Sequence, residues 1–452
     1  MQGNRRLALI PAVLVLIGSV VGVARAGNPS NLIAAGDQHF RWQVSYLPYT
    51  TSYGEPTVMF GRGETAVDTF GPTVWTSMNE GRSWVYDEHI DIAGCPSGDA
   101  DHIILADGTI LADNLCYAAF SNQIYRSTDH GRTWHPAGPA MALPAEAGVD
   151  VDRQWFSADP SNAKIVYMTF HDLEGPNIWV YKSTDGGTTF TQRVPITVFA
   201  TTKYPDIASG NTTSRMVVDP QDHNTLYLFY AYSDAVSGFT ASPQDPDFLL
   251  RRIGLATSHD GGLTWTHQVI YNGDAVKARV GHPFTTAAID PSGNLYVAYS
   301  VRFEPSMATQ VDIVRSTNGG RTWSAPIRVS DPRNGSNVMP SIVAPRTGVV
   351  DVAYYSTRVG DFDSKQGFWS VQLAQTRDAT AAHPRFTLSR VYADNHERDI
   401  CLAGLFCAIT GGDRNLADYL GLTVDARGMA LVVWTEDVNT HGSTMFARQT
   451  VA

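Results

Sequence analysis

The chain has 452 residues and a formal charge of −11, with 33 Lys and Arg against 44 Asp and Glu. An acidic surface argues against nucleic acid and anionic lipid as partners, since the overall field repels both polyanions. Length alone allows two or three ordinary domains, but internal repeats change that count.

Residues 1–26 have the form of an export signal. Arg5 and Arg6 precede the apolar run Leu7–Val23, and Ala24-Arg25-Ala26 supplies a small-x-small cleavage site before Gly27. The run is interrupted by Pro11 and Gly18 and is short for a bilayer span. No other stretch is apolar enough to cross a membrane. The mature protein is therefore expected to be secreted, with no membrane span, and a monomer. Loss of Arg5, Arg6 and Arg25 with the leader takes the formal charge from −11 to −14.

Residues 27–45, with Phe40 and Trp42, read as a lead-in segment, and 46–452 as one domain. Within it an octapeptide recurs, S-x-[DN]-x-G-x-[TS]-[WF]. Its copies place Ser77, Asn79, Gly81 and Trp84; Ser127, Asp129, Gly131 and Trp134; Ser183, Asp185, Gly187 and Phe190; Ser258, Asp260, Gly262 and Trp265; and Ser316, Asn318, Gly320 and Trp323. The chemistry is that of a tight hairpin. The Ser and Asp/Asn oxygens accept backbone N–H groups that the loop leaves unpaired, Gly supplies a positive φ, and the aromatic residue seals the turn. A second signal recurs upstream, an apolar strand ending in Asp-Pro or Asp-Gly before a β-branched or aromatic strand: Asp159-Pro160 before Ile165–Phe170, Asp219-Pro220 before Thr225–Tyr230, Asp290-Pro291 before Leu295–Tyr299. The pattern continues beyond the last octapeptide at Ser341–Tyr355, where Thr376-Arg-Asp378 reads as a box remnant, and at Leu422–Trp434.

The octapeptides resemble the Asp-box, or bacterial neuraminidase repeat, of sialidases and other β-propellers. The resemblance covers the chain from about Thr51 onward. It implies an all-β fold: a single β-propeller of four-stranded antiparallel blades joined by Asp-box hairpins. Box starts at 77, 127, 183, 258 and 316 fit one blade per repeat and give seven blades, or six if an end unit serves as closure strands. The boxes themselves are read as structural.

Four cysteines in an exported chain read as disulfides. Sequence alone permits three pairings, of which the local one is expected: Cys95–Cys116, between neighbouring strands of one module, and Cys401–Cys407, closing a short loop. No C-x-x-C or Cys/His spacing suggests a metal, and no cofactor is expected. Asp361 and Asp363 are spaced for a weak calcium loop or for a solvated acidic one.

Alternating strand direction puts the boxes on one face. Opposite them lie the approaches to each first strand and the loops between second and third strands. That rule gathers Asp99, Asp101, Asp152, Arg153, Trp155, Arg215, His282, Met339, Asp418 and Tyr419, then Arg62, Glu64, His171, Asp172, Arg302, Glu304 and Arg358, with Ser233–Arg252 overhanging as a lid. Sialidase-like chemistry needs an arginine cluster for the substrate carboxylate, a Tyr nucleophile and an Asp acid/base. The resemblance implies Arg62, Arg153, Arg215, Arg302 and Arg358 for the cluster and Tyr419 for the nucleophile, with Asp152, Asp172 or Glu304 as acid or its partner. The F-R-I-P tetrapeptide usual in sialidases is replaced here by Phe40-Arg-Trp-Gln43.

Three functions fit these residues. One is an exo-sialidase-like glycoside hydrolase of terminal acidic sugars. Another is a non-catalytic propeller binding a glycan, a glycoconjugate or a protein surface. The third is a polysaccharide lyase or other glycosidase with His171 or His282 as base.

Overall fold

The computed structural model describes residues 22–25, 40–48, 54–69, 73–87, 97–116, 121–137, 142–143, 151–172, 177–197, 211–232, 250–280, 284–402, 407, 412–438 and 442–451. Among the described residues, seven antiparallel sheets are arranged as a propeller, with almost no helix. Inner to outer, blade 1 runs Thr57–Gly61, Glu64–Asp68, Val74–Ser77, Ser83–Asp87, and Gly22–Arg25 adds a fifth strand at its outer edge. Inner strands of the next blades are Ser97–Ile104, Val151–Ala158, Asn211–Thr213 with Val217–Val218, Ala278–Val280 with Thr286–Ile289, and Ser336–Arg346.

Blade 7 is assembled from both ends of the chain. Gly421–Val424, Ala430–Glu436 and Ser443–Val451 take Arg41–Tyr46 as their outermost strand. The segment expected as a lead-in thus ends inside the sheet and closes the ring. Trp42 explains why it seats there: its ring is fully buried and its Nε1 donates to Ser389 Oγ of blade 6 at 2.9 Å.

The octapeptides form one turn five times. At Ser127 the Oγ accepts the Gly131 N–H at 2.9 Å and donates to Asp129 Oδ1 at 2.9 Å, while that carboxylate takes the Thr133 N–H at 2.9 Å. Ser77, Ser183, Ser258 and Ser316 repeat the Ser-to-Gly bond at 2.8–2.9 Å. At Asp260 the Thr264 hydroxyl at 2.6 Å, with two backbone N–H groups, holds the carboxyl below the usual range. The remnant keeps the geometry: Thr376 Oγ1 donates to Asp378 at 2.6 Å, and Asp378 accepts the Arg385 N–H.

The box glycines also fix neighbouring blades. A Cβ on Gly187 (φ +81°) would meet Leu111 of blade 2 at 2.3 Å, and one on Gly131 (φ +73°) would meet Thr76 of blade 1 at 2.7 Å. Glycine is therefore required both for the turn and for the blade-to-blade approach. Apolar clusters fill the seams between sheets, the largest joining blades 6 and 7 around Trp42, Trp369 and Trp434.

Cys401 and Cys407 form a disulfide. Cys116 is also disulfide-bonded, and its expected partner Cys95 lies outside the described residues. So do residues 1–21, His282, and 233–249 of the expected lid. Among the described residues no helix is long and apolar enough to cross a membrane.

Candidate functional site

An axial cavity of about 430 Å³ runs between the inner strands, walled by Val58, Val217, Ala287 and Ile342. The approaches to the inner strands meet at one mouth of it. There Trp155, Phe284 and Tyr419 form a buried cluster, with ring centroids 5.1 Å (Trp155–Tyr419), 5.9 Å (Trp155–Phe284) and 6.2 Å (Phe284–Tyr419) apart. Asp418, Arg215 and Met339 line the same mouth.

Arg153 organises this end. It sits in a bulge of blade 3, where the pairing with Val166–Asp172 shifts between Asp152 and Trp155. Its φ of 45° is left-handed, a costly state for a side chain larger than glycine. The distortion aims the guanidinium inward. One nitrogen donates to Glu55 Oε2 at 2.7 Å and to the Tyr419 hydroxyl at 2.6 Å, and the other to the Ala100 carbonyl at 2.9 Å. The cation lies 4.4 Å from the Trp155 ring centre and 4.9 Å from that of Tyr419. Glu55 (52°), Met339 (54°) and Ala417 (55°) are left-handed as well, so four blades carry a strained residue at this end of the channel.

Each arginine here already has an acid. Arg153 has Glu55, and Asp99 at 3.7 Å; Arg215, stacked 5.3 Å from Trp155, donates to buried Asp101 at 2.6 Å; Arg414 grips Asp418 with two bonds of 2.7 and 2.9 Å and lies 3.8 Å from Glu55. Burial, then the neighbouring charges of Asp99 and Asp418, push the Glu55 carboxyl well up despite Arg153 and Arg414. Burial likewise raises the Tyr419 phenol well above 10, with Arg153 opposing. Asp152 goes the other way: burial pushes it up, but the bond to His171 Nε2 at 3.2 Å together with the charges of His171 and Arg153 brings it below its ordinary value.

The sequence rule gathered Asp99, Asp101, Arg153, Trp155, Arg215, Met339, Asp418 and Tyr419, and the structure brings these together. Others lie elsewhere. Arg62 occupies the turn between the first and second strands of blade 1, beside Gly108 and hence on the octapeptide side, and Glu64 accepts from His130 of a box at 3.0 Å. Blade 1 begins one strand later than the sequence pattern suggested, which reverses the face of both. Glu304 clamps Arg251 at 2.9 Å and Arg279 at 2.8 Å, and this pairing lowers its carboxyl against burial. Arg302 is buried and donates to the Ser306 carbonyl. Asp172 accepts from Trp179 at 3.4 Å. Arg358 lines a separate polar cleft on blade 6 with Arg333, Phe368 and Arg390. Asp361 accepts the N–H of Asp363, a local turn.

Glu55, Phe284 and Arg414 were missed. The signal for Glu55 was present, because Gly54-Glu55-Pro56 precedes the inner strand of blade 1 as Asp152-Arg153 opens that of blade 3.

Residues 39–242 match the family described as DUF6242 beta propeller domain. A sialidase of Micromonospora viridifaciens is 30% identical over 34% of this chain and 25% of its own length. A xyloglucanase of Hypocrea jecorina is 27% identical over 46% of this chain and 23% of its own. The chain thus spans about a quarter of the length of these curated relatives. Among solved structures, the alpha-L-arabinanase of Penicillium chrysogenum with arabinobiose is 12% identical, with a TM-score of 0.47 over 78% of this chain and 93% of that one.

Proposed function

Taking the chain as a seven-bladed propeller of the sialidase-like superfamily, we propose that it is an exported, glycan-directed protein. Its sugar site is the channel mouth at Trp155, Arg153 and Tyr419, and the sugar taken there is uncharged. The observation that carries this reading is that Arg153, Arg215 and Arg414 are each paired with a buried acid. A carboxylate-bearing sugar would have to break those pairs and leave Glu55, Asp101 or Asp418 uncompensated, at several kcal/mol each. A neutral ring needs only hydrogen bonds and an aromatic wall. The 430 Å³ cavity, edged by Trp155, Phe284 and Tyr419, lies in the size range of small-ligand sites. The partial likeness to a sialidase and a xyloglucanase supports a glycan as the ligand class.

Attack by Tyr419 is not part of the proposal. Its phenol is buried, raised in pKa and hydrogen-bonded by an arginine; among the described residues no carboxylate is seen bonded to it. A second reading, hydrolysis of a neutral glycoside, is favoured by two carboxyls at this end set in opposite surroundings: Glu55, 2.7 Å from Arg153, is raised by burial, and Asp152, 3.2 Å from His171 Nε2, is lowered.

Calorimetric titration with xyloglucan and arabinan oligosaccharides, against sialosides, tests the reading. Neutral glycans should bind, and Trp155→Ala should weaken binding at least tenfold. Binding confined to sialosides would sink it. Turnover of a neutral aryl glycoside that disappears in Glu55→Gln would establish the second reading.

A further inference from the structure

The outer half of blade 6 is longer than the neighbour that faces it. Its third and outer strands are Phe368–Thr376 and Thr387–Glu397, whereas the outermost strand of blade 5 is only Ile327–Arg328. Where the two blades meet, the seam is apolar, with Tyr354, Ala374 and Leu388 of blade 6 against Ile313, Ile327 and Val329 of blade 5. Strand alternation puts Gln372, Ser370 and Phe368 on the face of Ala374, and Arg390 on that of Leu388. Along that face the apolar seam gives way to a cleft of about 870 Å³, which these four residues line.

The charges in the cleft are not matched to one another. Arg333 donates to both oxygens of Asp331, at 3.0 and 2.6 Å. Arg358, Arg390 and Asp394 line the same cleft and are exposed, and among the described residues their side chains form no hydrogen bond or ion pair. At the mouth, by contrast, each arginine already holds an acid. Two uncompensated guanidinium groups in one concavity favour an anion, and their planar forks suit a carboxylate. In a chain of formal charge −11 that preference is local and works against the overall field. Asp394 narrows the ligand further. It repels a dianion such as a phosphate monoester and, as an acceptor only, calls for donors beside the anionic group. Phe368 is 51% exposed at the start of the third strand and offers a flat apolar face to the same space. A sugar acid answers all three, with one carboxylate, several hydroxyls and a ring to pack.

We propose that the blade 6 cleft is a second binding site, for a uronic-acid residue of an acidic glycan. Arg358 and Arg390 take its carboxylate, Phe368 packs on the ring, and Asp394 and Gln372 receive its hydroxyls. The volume falls within the roughly 300–1,000 Å³ of small-ligand sites. The inference rests on the reading of the chain as glycan-directed but not on the mouth, because no residue of the cleft lines the axial cavity.

The test is calorimetric titration of the purified chain with oligosaccharides of galacturonate, guluronate and glucuronate, each against its methyl ester. An acid form should bind and its ester, which keeps the ring and loses the charge, should bind about tenfold more weakly. Binding should fall severalfold as salt rises from about 0.01 to 0.15 M and the Debye length shrinks from about 30 to 8 Å. Arg358→Gln and Arg390→Gln should each weaken it about tenfold, and Phe368→Ala should weaken it as well. These side chains are exposed, so the variants keep the fold. Trp155→Ala should leave uronate binding unchanged while weakening that of neutral oligosaccharides, so either site can fail alone. Equal affinity for acid and ester overturns the proposal, as does uronate binding untouched by both arginine variants. So does inorganic phosphate displacing a bound uronate at equal concentration, or no binding of any of the three acids.

Discussion

Arg153→Met removes the cation from the mouth while keeping most of its volume. Arg153 is 2% exposed, bonds Glu55 and Tyr419, and stacks on two rings, so its loss leaves buried Glu55 without its nearest counter-charge, with only Arg414 at 3.8 Å. Breaking a buried pair on one side costs about 3–5 kcal/mol. The cost must depend on pH. Arg153 pulls the Glu55 carboxyl down against burial, so without it that pKa rises further. A carboxyl whose folded pKa is raised contributes stability fully below its unfolded value of about 4.3 and loses it as pH rises through the folded value. The variant should therefore be hurt most near pH 8 and less near pH 5, where a proton replaces the arginine. Urea denaturation at both pH values, on Arg153→Met, Glu55→Gln and the double variant, measures this. At pH 8 the double variant should recover about 1–3 kcal/mol relative to additivity. Equal losses at both pH values with additive single effects would refute the electrostatic account of the mouth.

Three further outcomes follow from the same physics. Burial raises Asp351 in blade 6 to about 7 against Gln375 and Arg377, so its contribution is complete below about pH 4 and lost as pH rises through 7, on the order of 4 kcal/mol; Asp351→Asn should flatten the melting-temperature profile between pH 4 and 8, and parallel profiles would contradict it. Ser127→Ala strips the Gly131 N–H of its acceptor and should cost about 1–3 kcal/mol in urea denaturation, a loss under about 0.5 kcal/mol counting against a stapling role. Trp42→Ala should cost about 3–5 kcal/mol and expose the closing strand to proteolysis near residue 46, whereas unchanged cleavage would show that the ring does not depend on that seam.

Much of this architecture was legible because each blade repeats the same local chemistry. Ser, Asp or Asn, Gly and an aromatic residue at fixed offsets determine a turn without help from distant residues, and the Asp-Pro or Asp-Gly step marks where the inner strand ends. From those two marks the facing of Arg153, Arg215 and Tyr419 could be deduced. What could not be deduced depends on contacts far apart in sequence. Arg41–Tyr46 pairs with Ser443–Val451, about four hundred residues away, and nothing local in Phe40-Arg-Trp-Gln43 announces it. Blade 1 lacks the Asp-Gly step before its second strand, which sent Arg62 and Glu64 to the wrong side. Arg414 carries no local mark in the sequence, and only the fold shows it paired with Asp418 and Glu55. The acid count at the mouth, which turns the reading from acidic toward neutral sugars, likewise appears only when five blades contribute to one site.

Diffraction from crystals soaked in a neutral xyloglucan oligosaccharide addresses the proposed sugar site most directly. A pyranose ring should occupy the axial cavity against Trp155, Phe284 and Tyr419, with the Arg153–Glu55 bond intact. A sugar seated instead among the octapeptide turns, or in the blade 6 cleft of Arg333, Arg358 and Arg390 with the mouth empty, would contradict the account.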